Sequence, residues 1–278
     1  LYGQELIHIT AAIARMNLVL HGVSDFEIQS GNTLHAPALV EGDRLKTFDV
    51  VLANPPYSIK KWNREAWQSD AWGRNFLGTP PQGRADYAFF QHILKSMTSK
   101  TGRCAILFPH GVLFRNEEAE MRNRLVEEDL LECVLGLGPG LFYNSPMEAC
   151  VLVCRTAKPT TRTGKVLFID AVKDVTREDG QCLLKLEHQK KILEAYRAFA
   201  NLPGFAVVAK NAEILENDCS LSIPLYVKKQ IAATNGEEPP DFATAWSFVE
   251  QKGTEFWLSM DFLVEKLDVV VAEESVDA

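Results

Sequence analysis

The chain has 278 residues, 46% of them apolar and 24% charged, enough for one large domain or one domain with an appendage. Its 37 acidic against 29 basic side chains leave a formal charge of −8, which excludes a uniformly basic nucleic-acid binder but leaves room for a local basic groove. The longest apolar runs, such as Ala149–Cys154, fall far short of the roughly 20 residues a membrane span needs, and no N-terminal stretch has signal-peptide form. A cytoplasmic protein without a membrane partner is expected. Six cysteines without a CxxC pair, four of them in apolar runs, fit a reducing compartment. Six histidines with no ligand spacing give no reason to expect a metal.

Leu1–Glu5 reads as the end of a strand, so the chain is expected to begin in mid-fold. Residues 6–20 place Leu6, Ile9, Ile13, Met16 and Leu20 at helical spacing, and His21-Gly22 stops the helix. Phe26–Gln29 is a short strand. Phe48–Ala53 is a near-continuous apolar run halted at Asn54-Pro55-Pro56, the pattern of a strand buried on both faces of a parallel sheet. Residues 58–83 show no period and mix Trp62, Trp67 and Trp72 with Lys60, Lys61, Arg64 and Arg74; a long loop with one helical turn is expected. Within residues 57–103 the balance is net +5, which reads as a loop that meets DNA or, equally, as a partner-binding or disordered loop.

Alternation then resumes, with a helix over Ala85–Met97, a strand over Cys104–Phe108, a helix over Glu117–Glu128, and strands over Leu131–Leu135 and Ala149–Arg155. The loop between the last two is too short for a crossover helix, so they should pair antiparallel. Val166–Ile169 is one more strand and Leu183–Phe199 a polar helix. Residues 170–278 hold 20 acidic and 11 basic side chains. There, Thr234–Asp241 reads as a turn, Ala243–Glu250 and Glu255–Lys266 as helices, and Ala272–Ala278 as a frayed end. The pattern predicts an α/β sheet with helices on both faces over residues 1–170, then an acidic, mainly helical region over 171–278.

The strongest chemical signal is Asn54-Pro55-Pro56-Tyr57 directly after a buried strand, because ligand sites in such sheets lie at the carboxyl ends of strands. Two prolines fix φ and remove two backbone donors. What remains is acceptor chemistry from the Asn54 side-chain oxygen and the Pro55 carbonyl. Two adjacent acceptors suit a planar NH2 group. They draw its hydrogens out of conjugation and localise the nitrogen lone pair for attack on an electrophile. Tyr57 adds a flat face for stacking a ring. A plain Pro-Pro turn with Tyr57 as packing is the bland alternative.

Asn-Pro-Pro-Tyr in this setting resembles the catalytic motif of S-adenosylmethionine-dependent amino-methyltransferases. Further segments narrow the likeness: Tyr2-Gly3-Gln4-Glu5, Gly31-Asn32-Thr33-Leu34, Arg84-Ala85-Asp86-Tyr87-Ala88-Phe89, Phe108-Pro109-His110-Gly111 and Leu141-Phe142-Tyr143-Asn144-Ser145. In this order they resemble the modification subunit of type I restriction-modification enzymes, over residues 1 to about 155 and more weakly to about 227. The resemblance implies a Rossmann-like methyltransferase sheet and methyl transfer from S-adenosylmethionine to the exocyclic amine of a flipped-out adenine. It implies that Glu5 binds the cofactor ribose, that Asn32 and Thr33 lie where the cofactor adenine sits, and that Asn54 faces both cofactor and substrate. Asn54, Pro55, Pro56 and Tyr57 would be catalytic, with Tyr57 and Phe142 holding the extruded base. Asp86 opens a helix and could equally be a cap, so no catalytic role is expected of it.

The resemblance also implies partners: DNA, a specificity subunit, a restriction subunit and a second modification subunit. It places a glycine-rich cofactor loop on a central first strand that should stand before residue 1. Without that strand the sheet would carry an open slot, and the chain alone is expected to bind the cofactor weakly or not at all. Two alternatives stay open at this stage: methylation of a glutamine amide in a protein, and a catalytically inactive module serving subunit assembly.

Overall fold

The computed structural model describes residues 1–142, 147–178, 181–228 and 241–274. They fall into two units, Leu1–Gln230 and Ile231–Ala278. In the first, β1 (Tyr2–Glu5) leads into α1 (His8–Leu20), and β2 (Glu27–Ser30) pairs parallel with β1. A small hairpin of β3 (Val40–Glu41) and β4 (Arg44–Leu45) precedes β5 (Val50–Ala53). The segment after β5 contains α2 (Arg64–Gln68) and ends at α3 (Asp86–Lys95). Then come β6 (Arg103–Pro109), α4 (Ala119–Glu127), β7 (Leu131–Leu137), β8 (Ala149–Arg155) and β9 (Lys165–Ala171). The antiparallel pair β10 (Thr176–Glu178) and β11 (Gln181–Leu183) is followed by α5 (Leu186–Ala198), β12 (Ala206–Lys210), α6 (Asn211–Glu216) and α7 (Ile223–Tyr226).

Six strands form the main sheet in the order β12-β9-β7-β8-β6-β5. β5 is parallel to β6 and β7 is parallel to β9. β8 lies antiparallel between β6 and β7, as its short connection to β7 requires. The carboxyl ends of β5, β6 and β7 therefore share one edge. On one face α3 places Tyr87, Phe90, Ile93 and Leu94 at helical spacing, all buried, and the Phe90 ring lies 5.6 Å from the rings of both Tyr87 and Phe108. Each such side chain, fully buried, contributes roughly 1.5–3 kcal/mol. Cys104, Cys150 and Cys154 are free thiols buried in this core, and Cys133 is one buried in a second cluster with Leu167 and Ile169.

β1 stands beyond β5 and runs in the same sense. The Tyr2 ring lies 5.2 Å from that of Phe48, and Glu5 and Pro56 line one cavity. Among the described residues no strand lies between β1 and β5. A cavity of about 410 Å³ there is lined by Tyr2, Phe48, Val50 and Leu52, among others. β5 is thus not buried on both faces as its composition predicts, since Val50 is 47% and Leu52 76% exposed. Val51 and Ala53 pack on the core, but Val50 and Leu52 lie on the opposite face, where among the described residues nothing covers them. The α1 stripe shares this fate: Leu6, Ile9, Ile13, Met16 and Leu20 are exposed, and the buried residue of α1 is Ala11.

The sheet continues through β12, so the expected boundary at residue 170 falls inside β9, within the first unit. The second unit contains α8 (Phe242–Glu274), one continuous helix where two were expected. Gly253 costs about 1 kcal/mol in a helix interior, too little to break so long a run. Phe242, Trp246 and Phe256 on it are exposed. Residues 234–240 and 275–278, read as a turn and a frayed end, lie outside the described residues. Among those described, no helix is long and apolar enough to cross a membrane.

Candidate active site

β5 ends at Ala53, and the next four residues alternate in exposure. Asn54 and Pro56 are exposed, Pro55 is buried and Tyr57 half-buried. The Tyr57 hydroxyl donates to Asn54 Oδ1 at 2.9 Å. Burial, with smaller contributions from Cys150 and Asp86, pushes the Tyr57 phenol up, so it stays protonated and remains a donor.

The chain leaves this turn through Ser58, whose φ of 52° is left-handed. A non-glycine residue there costs on the order of 1–2 kcal/mol and must be held by its surroundings. Asp86 holds it: the Ser58 N–H donates to Asp86 Oδ1 at 2.8 Å. Asp86 is 1% exposed, and its other oxygen accepts from Arg115 Nη1 at 2.9 Å. Arg115 also lies 3.5 Å from the buried Glu118. Asp86, which opens α3, thus anchors the Asn54–Tyr57 turn to that helix.

Beside Pro56 lies a cavity of about 510 Å³, large enough for a nucleoside. Glu5 reaches it from the end of β1, and Asn32 and Thr33 from the turn after β2. One Glu5 carboxylate oxygen accepts from the Ile7 N–H at 2.9 Å. Asn32 Oδ1 accepts from the N–H groups of Leu34 at 3.0 Å and His35 at 3.2 Å, so this side chain shapes its own turn as well as lining the cavity. Gly31 before it has φ +147°, and a Cβ there would press on the Gln4 side chain at 3.3 Å, so glycine is required. The other wall carries the apolar Pro56, Ile59, Trp62 and Phe89, with Lys61 and Asn63 beside them. Trp62 is fixed by its Nε1–H donating to the Gln82 carbonyl at 3.1 Å.

The structure therefore brings Glu5, Asn32, Thr33 and Pro56 around one cavity, with Asn54 and Tyr57 adjacent in the chain but not lining it. Phe142 is half-buried in the loop after β7. Among the described residues no hydrogen bond or ring contact joins it to Asn54 or Tyr57, and residues 143–146 beside it lie outside the description. Ile59, Trp62 and Phe89 went unrecognised as cavity wall. Trp62 stood out in the sequence as an aromatic among basic residues, a signal equally compatible with a DNA-facing loop. Arg74, counted in the basic balance, points inward, with 2% exposure.

Residues 1–234 match the model of the N-6 DNA methylase family. The chain belongs to that family. It is 34% identical over 239 residues to the type I restriction enzyme MjaVII methylase subunit of Methanocaldococcus jannaschii, covering 82% of this chain and 40% of that one. With the HindI methylase subunit of Haemophilus influenzae it shares 31% over 240 residues, covering 82% and 52%. The crystal structure of a type I restriction-modification system methyltransferase subunit from Streptococcus thermophilus superimposes with a TM-score of 0.75 at 36% identity, covering 81% of this chain and 48% of that one. This N-6 DNA methylase family member thus spans about two fifths to one half of the length of these relatives. The α/β methyltransferase fold and the resemblance to type I modification subunits, both expected from the sequence, are borne out.

Proposed function

We propose that this chain is a catalytic part of a type I modification subunit that transfers methyl from S-adenosylmethionine to the N6 amine of adenine in DNA. The observation that carries this reading is the exposed Asn54 at the carboxyl end of β5, next to a Pro56 that walls a nucleoside-sized cavity. That cavity fits an adenosyl group. The Glu5 carboxylate suits a pair of ribose hydroxyls, Asn32 and Thr33 supply polar contacts, and Pro56, Ile59, Trp62 and Phe89 form a wall for a purine. When bound there, S-adenosylmethionine supplies a methyl on a sulfonium, electrophilic enough to react with a neutral amine.

The protein's share is orientation. Asn54 Oδ1 and the Pro55 carbonyl accept the two amine hydrogens and turn the lone pair toward the methyl. A carbonyl-type oxygen has two acceptor sites, so Oδ1 can take the amine while Tyr57 still donates to it. The target amine cannot be reached inside a base stack, and the base must be extruded to meet Asn54. The rings of Tyr57 and Phe142 then hold it, at roughly 1–3 kcal/mol per stacked base. The methylated nitrogen would shed its extra proton to water after transfer, with the cofactor left as a neutral thioether, so the lone pair rather than a general base does most of the work. Preorganised acceptors and in-line placement do the work.

The relatives are named as methylase subunits of type I restriction enzymes, which supports other subunits of such an enzyme as partners; DNA, a specificity subunit, a restriction subunit and a second modification subunit are the partners proposed. Residues 171–278, acidic and mainly helical, are proposed to serve the subunit contacts. The test is transfer of tritium from labelled S-adenosylmethionine by the chain co-purified with its specificity subunit. Label in N6-methyladenine of DNA is expected. Label in protein glutamine would instead indicate amide methylation, and no label in either would indicate an assembly module.

A further inference from the structure

We propose that Arg74 is a positioning residue for the cavity beside Pro56: its guanidinium locks the turn at Asn32–His35 against the wall formed by residues 59–63. This rests on the reading of that cavity as the cofactor's.

Arg74 is almost wholly buried, and each of its five N–H groups has an acceptor. Nε and Nη2 donate to Asp70 Oδ1 at 3.0 and 2.6 Å. Nη2 also donates to the Leu34 carbonyl at 2.9 Å, and Nη1 to the Thr33 carbonyl at 2.9 Å. The last N–H of Nη1 points to His92 Nδ1 at 3.4 Å. Burial, reinforced by Arg74 itself, pushes the His92 imidazole down to about 4, so the ring is neutral at pH 7 and free to accept. The Trp67 ring lies 4.6 Å from the guanidinium carbon. The second Asp70 oxygen accepts from the Arg74 backbone N–H at 2.8 Å, which fixes the base of the arginine as well as its tip.

Two features separate this from an ordinary internal ion pair. A buried pair gains little stability over apolar packing of the same volume. Here, however, the free edge of the guanidinium meets two consecutive carbonyls some forty residues away in the chain, a planar fork that lysine cannot reproduce. The second feature is where those carbonyls lie. Thr33 and Leu34 both line the cavity, and the N–H groups on the other side of their peptides, at Leu34 and His35, are taken by Asn32 Oδ1. The peptides are thus gripped from both sides, and the orientation of Asn32 and Thr33 toward the cavity follows. Arg74 and Asp70 belong to the same ordered segment as Ile59, Lys61 and Trp62 on the facing wall, so the contact sets the spacing between the two walls.

The test compares the wild-type chain with Arg74→Lys by hydrogen–deuterium exchange, by titration with S-adenosylmethionine to millimolar concentration, and by methyl-transfer kinetics in the complex with the specificity subunit. Arg74→Lys is expected to speed exchange over residues 32–36 and to weaken S-adenosylmethionine binding by about tenfold or more, the scale of one lost charge-assisted hydrogen bond. The KM for S-adenosylmethionine should rise while kcat at saturation and exchange within β6–β8 stay unchanged. A purely structural role would instead raise exchange throughout the core. Unchanged exchange at 32–36, or faster exchange with unchanged affinity, overturns the proposal. If wild type shows no protection of 31–36 by S-adenosylmethionine, the reading of the cavity falls, while exchange in the unliganded chains still decides whether Arg74 pins the turn. Should Arg74→Lys fail to fold, Asp70→Asn, which removes the charge that aims the guanidinium at the Thr33 and Leu34 carbonyls, is expected to speed exchange over 32–36 and weaken S-adenosylmethionine binding in the same direction, and unchanged exchange there overturns the proposal.

Discussion

The Tyr57 hydroxyl donates to Asn54 Oδ1 at 2.9 Å, so the group proposed to grip the substrate amine is held in place by the ring proposed to stack on the same base. The two roles of Tyr57 separate by substitution. Tyr57→Phe keeps the ring and loses one neutral hydrogen bond, a net of about 0.5–1.5 kcal/mol, so kcat/KM for DNA should fall about 2- to 10-fold. Tyr57→Ala loses the stack as well, with a further loss of about 5- to 150-fold. Equal losses in the two variants would show that the ring does not touch the base.

Asp86 is buried between the Ser58 N–H and Arg115. Asp86→Ala frees the left-handed Ser58 and leaves Arg115 with Glu118 alone. Methyl transfer should fall about tenfold or more, as expected when a positioned group moves by a fraction of an ångström to an ångström. Affinity for S-adenosylmethionine should stay within about twofold, because Asp86 is not part of the cavity wall. Asp86→Asn, which retains an acceptor for Ser58, should keep most of the activity. Steady-state kinetics on the assembled enzyme decide this, and equal damage from Asn and Ala would count against a backbone-holding role.

Much of this organisation is visible in local sequence. Apolar residues three and four apart in Asp86–Lys95, and apolar runs at β6, β7 and β8, carry their own periodicity, and Asn54-Pro55-Pro56-Tyr57 is contiguous. Glu5, Asn32 and Thr33 were reached through the resemblance, since nothing in their spacing sets them around one cavity. Features made by distant partners were not legible. β12, at Ala206–Lys210, is a five-residue edge strand paired with β9, some forty residues earlier. Arg74 has the look of a surface cation until the carbonyls of Thr33 and Leu34 surround it. The exposure of Val50 and Leu52 was likewise hidden, because an apolar run specifies burial only where something covers it.

Glu118 offers a test in stability. It is fully buried, neither carboxylate oxygen has a hydrogen-bond donor among the described residues, and burial pushes its carboxyl from 4.5 up to about 7 in spite of Arg115. The folded chain therefore holds a proton that the unfolded chain releases between those two values. The stabilisation is complete below 4.5 and is lost as pH rises through 7, a swing on the order of 3 kcal/mol. His92, pushed down to about 4, works in the opposite sense below 6.5 and is common to both chains, so between pH 5 and pH 8 wild type should lose stability to urea relative to Glu118→Gln. The same pH dependence in both chains would place the proton elsewhere.

The central claim is that the Asn54 side-chain oxygen readies an adenine amine for methylation. The direct measurement is single-turnover transfer of labelled methyl to DNA by Asn54→Ala in complex with the specificity subunit, alongside its affinity for S-adenosylmethionine. The account expects a loss of about 10²–10³ in rate, the cost of one preorganised group, with cofactor affinity close to wild type. A variant that transfers methyl at the wild-type rate would contradict it.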